Sequence, residues 1–182
     1  MIPNSFKLLL SLLLLTISCS SVDFIKSYSS LETRKNFTGQ TFTKRYITYK
    51  VGKLNEGWEI VKLKYGDLAF YNKSWNSTIN VNSTCSSGGN YNLATLSDSL
   101  LSGLKNKQLI KRSVATVNKE GALESRYFGQ YENSKVKMSI IVYQKHLCVY
   151  DFSYISDEIN FDKGYKEYKE FVSNFELIKN EQ

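Results

Sequence analysis

Between residues 108 and 155 four β-patterned runs follow one another almost without a break, over 108–117, 122–131, 136–144 and 146–155. The connectors are NKEG, ENSK and the single Lys145. They are too short for a parallel return, which needs a crossover of a dozen or more residues, so the runs must be antiparallel neighbours in one sheet. Proline occurs once, at Pro3, and interrupts none of them. On the last run Cys148, Tyr150, Phe152 and Tyr154 share one parity, so one face is strongly apolar and has to be covered.

Upstream the same alternation predicts more strands. Residues 42–51 alternate with β-favouring side chains on both parities. Asn55-Glu56-Gly57 makes a turn into a strand over 58–64, and Tyr65-Gly66-Asp67 turns into a return over 68–71. The stretch STINVNSTC, 77–85, alternates cleanly. Ile79, Val81, Ser83 and Cys85 lie on one face, and Thr78, Asn80, Asn82 and Thr84 on the other. After the loop SSGGN, residues 92–106 carry Leu93, Leu96, Leu100, Leu101 and Leu104 on one helical stripe, with Asn92 as the cap. A second helix over 160–173 repeats Phe161, Tyr165, Tyr168 and Val172 at spacings of three and four, and 175–178 adds an edge strand. Runs of strands with helices lying on them predict an α+β fold, an antiparallel sheet of successive hairpins packed by two helices.

The closing helix ends in Phe171, Val172 and Phe175, an F-V-x-x-F pattern, and is preceded by the aromatic strand CVYDFSYIS. In this the chain resembles the PsbP/Mog1-like fold over residues 46–178, and it is similar to small envelope lipoproteins built on that plan. The resemblance implies a sandwich. Its members include photosystem accessory proteins, a GTPase-binding protein and exported lipoproteins, so it implies binding rather than catalysis. No cofactor is expected.

The N-terminus speaks to location. Lys7 precedes an apolar run over 8–17 that stops at Ser18-Cys19. A transmembrane helix needs roughly 20 apolar residues, so this run is too short to span and reads as a secretory signal over 1–18. Thr16-Ile17-Ser18-Cys19 resembles the bacterial lipobox, with Thr16 where Leu is usual. The resemblance implies diacylglycerol on Cys19, which becomes the first mature residue. An ordinary signal with an incidental cysteine is the alternative. One acyl chain binds a membrane only marginally, whereas several anchor a protein stably. Ser20 rather than Asp after the cysteine implies the outer membrane, facing the periplasm, in an organism with two membranes. Residues 19–41 are polar and read as the lipidated end and a tether, 42–178 as one domain, and 179–182 as a tail.

Candidate chemistry is sparse. His146, the one histidine, begins a strand and has no metal-ligand spacing around it. Gly88-Gly89 precedes the capped helix and reads as a turn rather than a phosphate loop. No metal site and no enzyme activity are expected. Cys85 and Cys148 both share parity with core side chains. In an exported chain they are disulfide partners, with two separate buried thiols as the alternative. Glu124, Arg126, Lys137, Ser139, Asp151 and Ser153 read as a polar parity across the later strands, either a solvated face or a binding surface. Asp151, interrupting VYDFSY, would seek Arg126 or Lys137. The formal charge of +7 is dispersed, which argues against nucleic acid as a partner. The expected partners are the membrane, through the N-terminal lipid, and another protein of the envelope. Carriage of a lipid-like small molecule between sheet and helix is the other expectation, distinguished by an apolar cavity of several hundred Å³.

Overall fold

The computed structural model describes residues 36–63, 66–86 and 91–180, which form two antiparallel sheets and two helices. The expected signal, Cys19, the first part of the tether, the Gly88-Gly89 pair and the last two residues lie outside these. The larger sheet has seven strands. Their order is β4 (Trp58–Val61), β5 (Leu68–Asn72), β6 (Ser77–Cys85), β10 (Cys148–Asp157), β9 (Ser134–Lys145), β8 (Glu120–Tyr131) and β7 (Lys105–Val117). The smaller sheet joins β1 (Phe37–Thr38), β2 (Thr41–Lys44), β3 (Ile47–Lys50) and β11 (Glu176–Asn180). Helix α1 (Leu93–Ser99) carries the chain from β6 to the β7 edge, and α2 (Phe161–Ser173) carries it from β10 to β11.

Register assigns the faces. On the β6–β10 pair, Cys148 stands opposite Cys85, Tyr150 opposite Ser83, Phe152 opposite Val81 and Tyr154 opposite Ile79. This face is closed by α2 and the small sheet. Phe175, just past α2, is ringed by Tyr49, Tyr143, Tyr150 and Phe152 at centroid separations of 5.1 to 6.2 Å. Buried tyrosines keep their hydroxyls paired, as burial demands. Tyr168 donates to the Phe152 carbonyl and Tyr154 to the Phe161 carbonyl, each at 2.9 Å. Two glycines allow the close packing. A Cβ on Gly164 would lie 2.7 Å from the Tyr154 hydroxyl, and one on Gly52 2.6 Å from Phe171 Cα. The leucine-bearing α1 lies over the opposite face, where Leu101 packs with Tyr127, Ile140 and Val142, and the other four leucines of the stripe border that cluster.

Several elements differ from the sequence expectation. Residues 42–51 form a hairpin rather than one strand: Arg45 takes a left-handed φ of 50°, and Phe42 stands opposite Tyr49 on the buried side. Helix α1 ends at Ser99, so Leu100, Leu101 and Leu104 follow it in turns. Leu104 is held against Gly129, where a Cβ would meet it at 2.6 Å, and the chain extends from Lys105. The β7–β8 and β8–β9 turns are tighter than expected, two residues each in place of four, whereas β9 and β10 are joined by two residues rather than one. Asn118 and Lys119 both have positive φ, as a two-residue turn matched to strand twist requires. His146 does not begin a strand; it occupies the β9–β10 turn at a φ of 53°. Pairing also starts at Phe37, inside the stretch read as tether, and β11 runs to Asn180.

Cys85 and Cys148 are bonded, across a sequence separation of 63. A loop of that size restricts the unfolded chain by about 4 kcal/mol in the chain-entropy account. Replacing both cysteines by alanine should therefore lower the unfolding free energy by about 2–5 kcal/mol. Urea titrations of the oxidised protein and the double variant measure this; a loss below 1 kcal/mol would contradict it.

Candidate functional site

The two faces of the large sheet are covered unequally. Helix α1 has seven residues, too few to shield the face it lies on. It is nonetheless fixed in place. Asn92 accepts hydrogen bonds from the Ala94 and Thr95 amides at 2.9 and 3.1 Å, capping the helix start. At the other end Asp98 accepts from the Tyr127 hydroxyl at 2.5 Å and from Arg112 at 2.6 Å. The Tyr127 bond, aided by Arg112, holds the Asp98 carboxyl below the usual range despite some desolvation.

What α1 leaves uncovered is a cleft with two lobes, both bounded by Leu100. One, of about 460 Å³, has Leu63, Leu104, Met138 and Ile155 beside Thr78 and Asn80. The other, of about 300 Å³, has Leu96, Val142 and Val149 beside Thr84, Tyr91 and Asp151. The sheet contributes the outer polar parity of β6 and the matching parity of β10 as a ladder, with Asn80 donating to Ser153 at 3.2 Å and Asn82 to Asp151 at 2.9 Å. The cleft is thus apolar with a polar stripe, the composition of a small-molecule site.

Asp151 is the charged member of that stripe and only 9% exposed. Burial pushes its carboxyl up, the Asn82 bond pulls it back, and the Asp67 charge adds to the rise, to about 6. The other two residues expected beside it are elsewhere. Asp151 stands opposite Val142, and Val142 opposite Leu123, whereas Arg126 stands opposite Ser139, and Ser139 opposite Tyr154. Arg126 and Lys137 therefore lie on the α2 face. Arg126 sits over the Tyr165 ring, 5.5 Å from its centroid. The expected polar surface does not exist as a unit, because parity counted within separate strands says nothing of the register that joins them. The cation-paired carboxylate on the α2 face is Glu124. Burial would raise its pKa, but Lys169, Tyr165 and Ser139 all donate to it and together hold it below the usual range.

Sequence reasoning missed Asn82 as the partner of Asp151, and Asp98–Arg112–Tyr127 as the clamp on α1. It also missed Asp67, buried beneath Lys44, Tyr49 and Ser83. The one available signal was the polar parity of STINVNSTC: a strand in mid-sheet with a polar face must satisfy it from its neighbours. Among the described residues no helix is long and apolar enough to cross a membrane.

No protein-family model and no curated protein matches the sequence. Solved structures do match in shape. The chain is similar to cyanobacterial PsbP (CyanoP) from Synechocystis, with a TM-score of 0.54 at 14% identity over 88% of this chain and 97% of that one. It is also similar to LpqN of Mycobacterium tuberculosis, a protein involved in cell envelope biogenesis, with a TM-score of 0.55 at 11% identity over 84% and 99%. A Bacteroides thetaiotaomicron protein matches with a TM-score of 0.53 at 13% identity over 79% of this chain, which spans 50% of that protein. These likenesses establish the class: a PsbP-like α+β sandwich.

The buried carboxyls of Asp151 and Glu124 should affect stability with opposite sign. Asp151 has its pKa raised in the fold, so its contribution is most favourable below the unfolded value and is lost as pH rises through about 6. Asp151→Asn should therefore stabilise the protein at pH 8, by roughly 1–3 kcal/mol, and the gain should vanish at about pH 4. Glu124 has its pKa lowered, so its contribution is present above the unfolded value and lost as pH falls through the folded one. Glu124→Gln should cost about 1–3 kcal/mol at pH 8. Urea unfolding of both variants at each pH tests the signs, and a destabilised Asp151→Asn at pH 8 would refute the account of the cleft carboxylate.

Proposed function

We propose that the chain is an exported, lipid-anchored accessory protein of the cell envelope, acting by binding and not by catalysis. The observation that carries this reading is the disulfide between Cys85 and Cys148, because such bonds persist in oxidising compartments and are rare in the cytosol. The apolar run ending at Ser18-Cys19 supplies the matching route out and the anchor. Acyl chains on Cys19 hold the domain at the membrane, in the outer membrane facing the periplasm where there are two membranes. The envelope role of LpqN supports the same setting by fold alone. Binding is favoured over chemistry because the cleft under α1 is apolar with one carboxylate, and His146 stands in a hairpin turn. A second reading, carriage of a lipid-like small molecule, is supported by the size and apolar lining of the cleft under α1.

The intact mass of the membrane-extracted protein tests the first reading. A mass beginning at Cys19 with acyl chains is expected, with Cys85 and Cys148 alkylated only after reduction. Cys19→Ser should abolish acyl incorporation and release the protein from the membrane fraction if it is processed. A lipid-free mature mass would remove the anchor, and thiols free before reduction would remove the observation on which export rests.

A further inference from the structure

Four carboxylates are buried among the described residues: Asp67, Glu124, Asp151 and Glu167. Three have both oxygens engaged. Asp67 receives Lys44 on one oxygen and Tyr49 and Ser83 on the other. Glu124 receives Ser139 and Tyr165 on one and Lys169 on the other. Glu167 receives the Asn55 amide and the Trp58 indole N–H, one on each. Asp151 is different. Asn82 donates to Oδ1 at 2.9 Å and fixes the carboxyl plane, while Oδ2 has no protein donor among the described residues. The side chain is 9% exposed, and that small opening is onto the smaller lobe of the cleft.

No buried side-chain oxygen among the described residues lacks a partner, so Oδ2 is reached by solvent through this opening, and a ligand donor there would take the place of water. The raised Asp151 pKa has its origin in burial with little compensation. The surroundings indicate what takes that place. The chain carries a formal charge of +7, yet neither lobe has a lysine or arginine among its described lining residues. An anion would meet the carboxylate charge directly. A neutral alcohol could donate one hydrogen bond but would leave the charge uncompensated. A protonated amine supplies both the donor and the opposite charge, and charge-assisted bonds of this kind are the strong ones. Beside the carboxylate, Leu96, Val142 and Val149 offer a dry wall for an alkyl stem. Thr84 and the mutually bonded Ser86 and Tyr91 hydroxyls supply further acceptors for the remaining N–H groups.

We infer that this lobe binds a small amphiphile whose polar end is a primary ammonium, seated on Asp151 Oδ2 with its apolar stem along Leu96, Val142 and Val149. The inference rests on reading the cleft as a binding site, and it deepens the second reading above. The same ammonium can be borne by a free alkylamine or by an amino lipid headgroup.

The test uses the acylated full chain in phosphatidylcholine nanodiscs, titrated calorimetrically with hexylammonium, hexanol and hexanoate against empty discs. Hexylammonium should bind saturably, hexanol at least about tenfold more weakly, and hexanoate not measurably. Asp151→Asn, a variant expected to fold, should reduce hexylammonium to the level of hexanol. Equal binding of the three probes, or an Asp151→Asn protein that still prefers the amine, overturns the inference while leaving the cleft a binding site. Binding of none overturns both. If the inference holds, phosphatidylethanolamine discs separate the two sources: competition that weakens hexylammonium assigns the amine to the headgroup, and unchanged affinity assigns it to a free amphiphile.

Discussion

The pairing of β6 with β10 is the interaction on which the rest depends. These strands are far apart in sequence, yet they join nine consecutive residue pairs at the middle of the large sheet. Everything on the β4 and β5 side is attached to the hairpins of β7 to β9 through them. A shift of one residue would turn the faces of one strand over relative to the other. If β10 were the strand to slip, Tyr150, Phe152 and Tyr154 would come under α1 and Asp151 would enter the aromatic core, away from Asn82. The Cys85–Cys148 bond sits at one end of this pair and locks the register that the side chains specify.

From that register follow two faces with different histories of closure. The α2 face is complete. Its helix has thirteen residues, its aromatic stripe meets the small sheet at Phe175, and its buried carboxylates are each surrounded by donors. Such a face supplies stability. The α1 face is only partly covered by a helix of seven residues, pinned at Asn92 and Asp98, so its walls are positioned without being closed. Rigid walls around an unfilled space make a preformed cleft, and a preformed cleft spares a ligand the cost of ordering its own site.

Much of this architecture was legible in the sequence because it depends on local periodicity. The residues of β6 match the alternating stretch residue for residue, and β7 to β10 and α2 follow the runs read from the chain. Cys85 and Cys148 were placed on core parities, and they meet. The failures occur where non-local geometry decides. Nothing in the parity of 42–51 marks Arg45 as a left-handed turn residue, since its chemistry does not favour that conformation. The leucines after Ser99 keep helical spacing but pack from turns, because Leu104 has to reach Gly129. Arg126 and Asp151 share a parity within their own strands and yet face opposite ways, since tight hairpins set the register between them. Polar satisfaction is similarly non-local. Asn82 and Asp151 are 69 positions apart, and only the sheet brings them together.

The contrast among the buried acids gives the uneven faces their meaning. Glu124 and Asp151 sit on neighbouring parts of one sheet and are buried to a similar degree, but the first is drawn below its ordinary pKa and the second is pushed above it. The difference is the number of donors the fold brings to each. A chain able to assemble Lys169, Tyr165 and Ser139 around Glu124 has the means to satisfy a carboxylate, and a leucine or valine at Asp151 would suit the apolar lobe at lower cost. Natural sequences depart from the most stable choice chiefly where function requires it. Asp151, which lines a cleft that the short helix leaves open and draws a single protein donor, is such a departure, and it lies where a ligand can take the place of water.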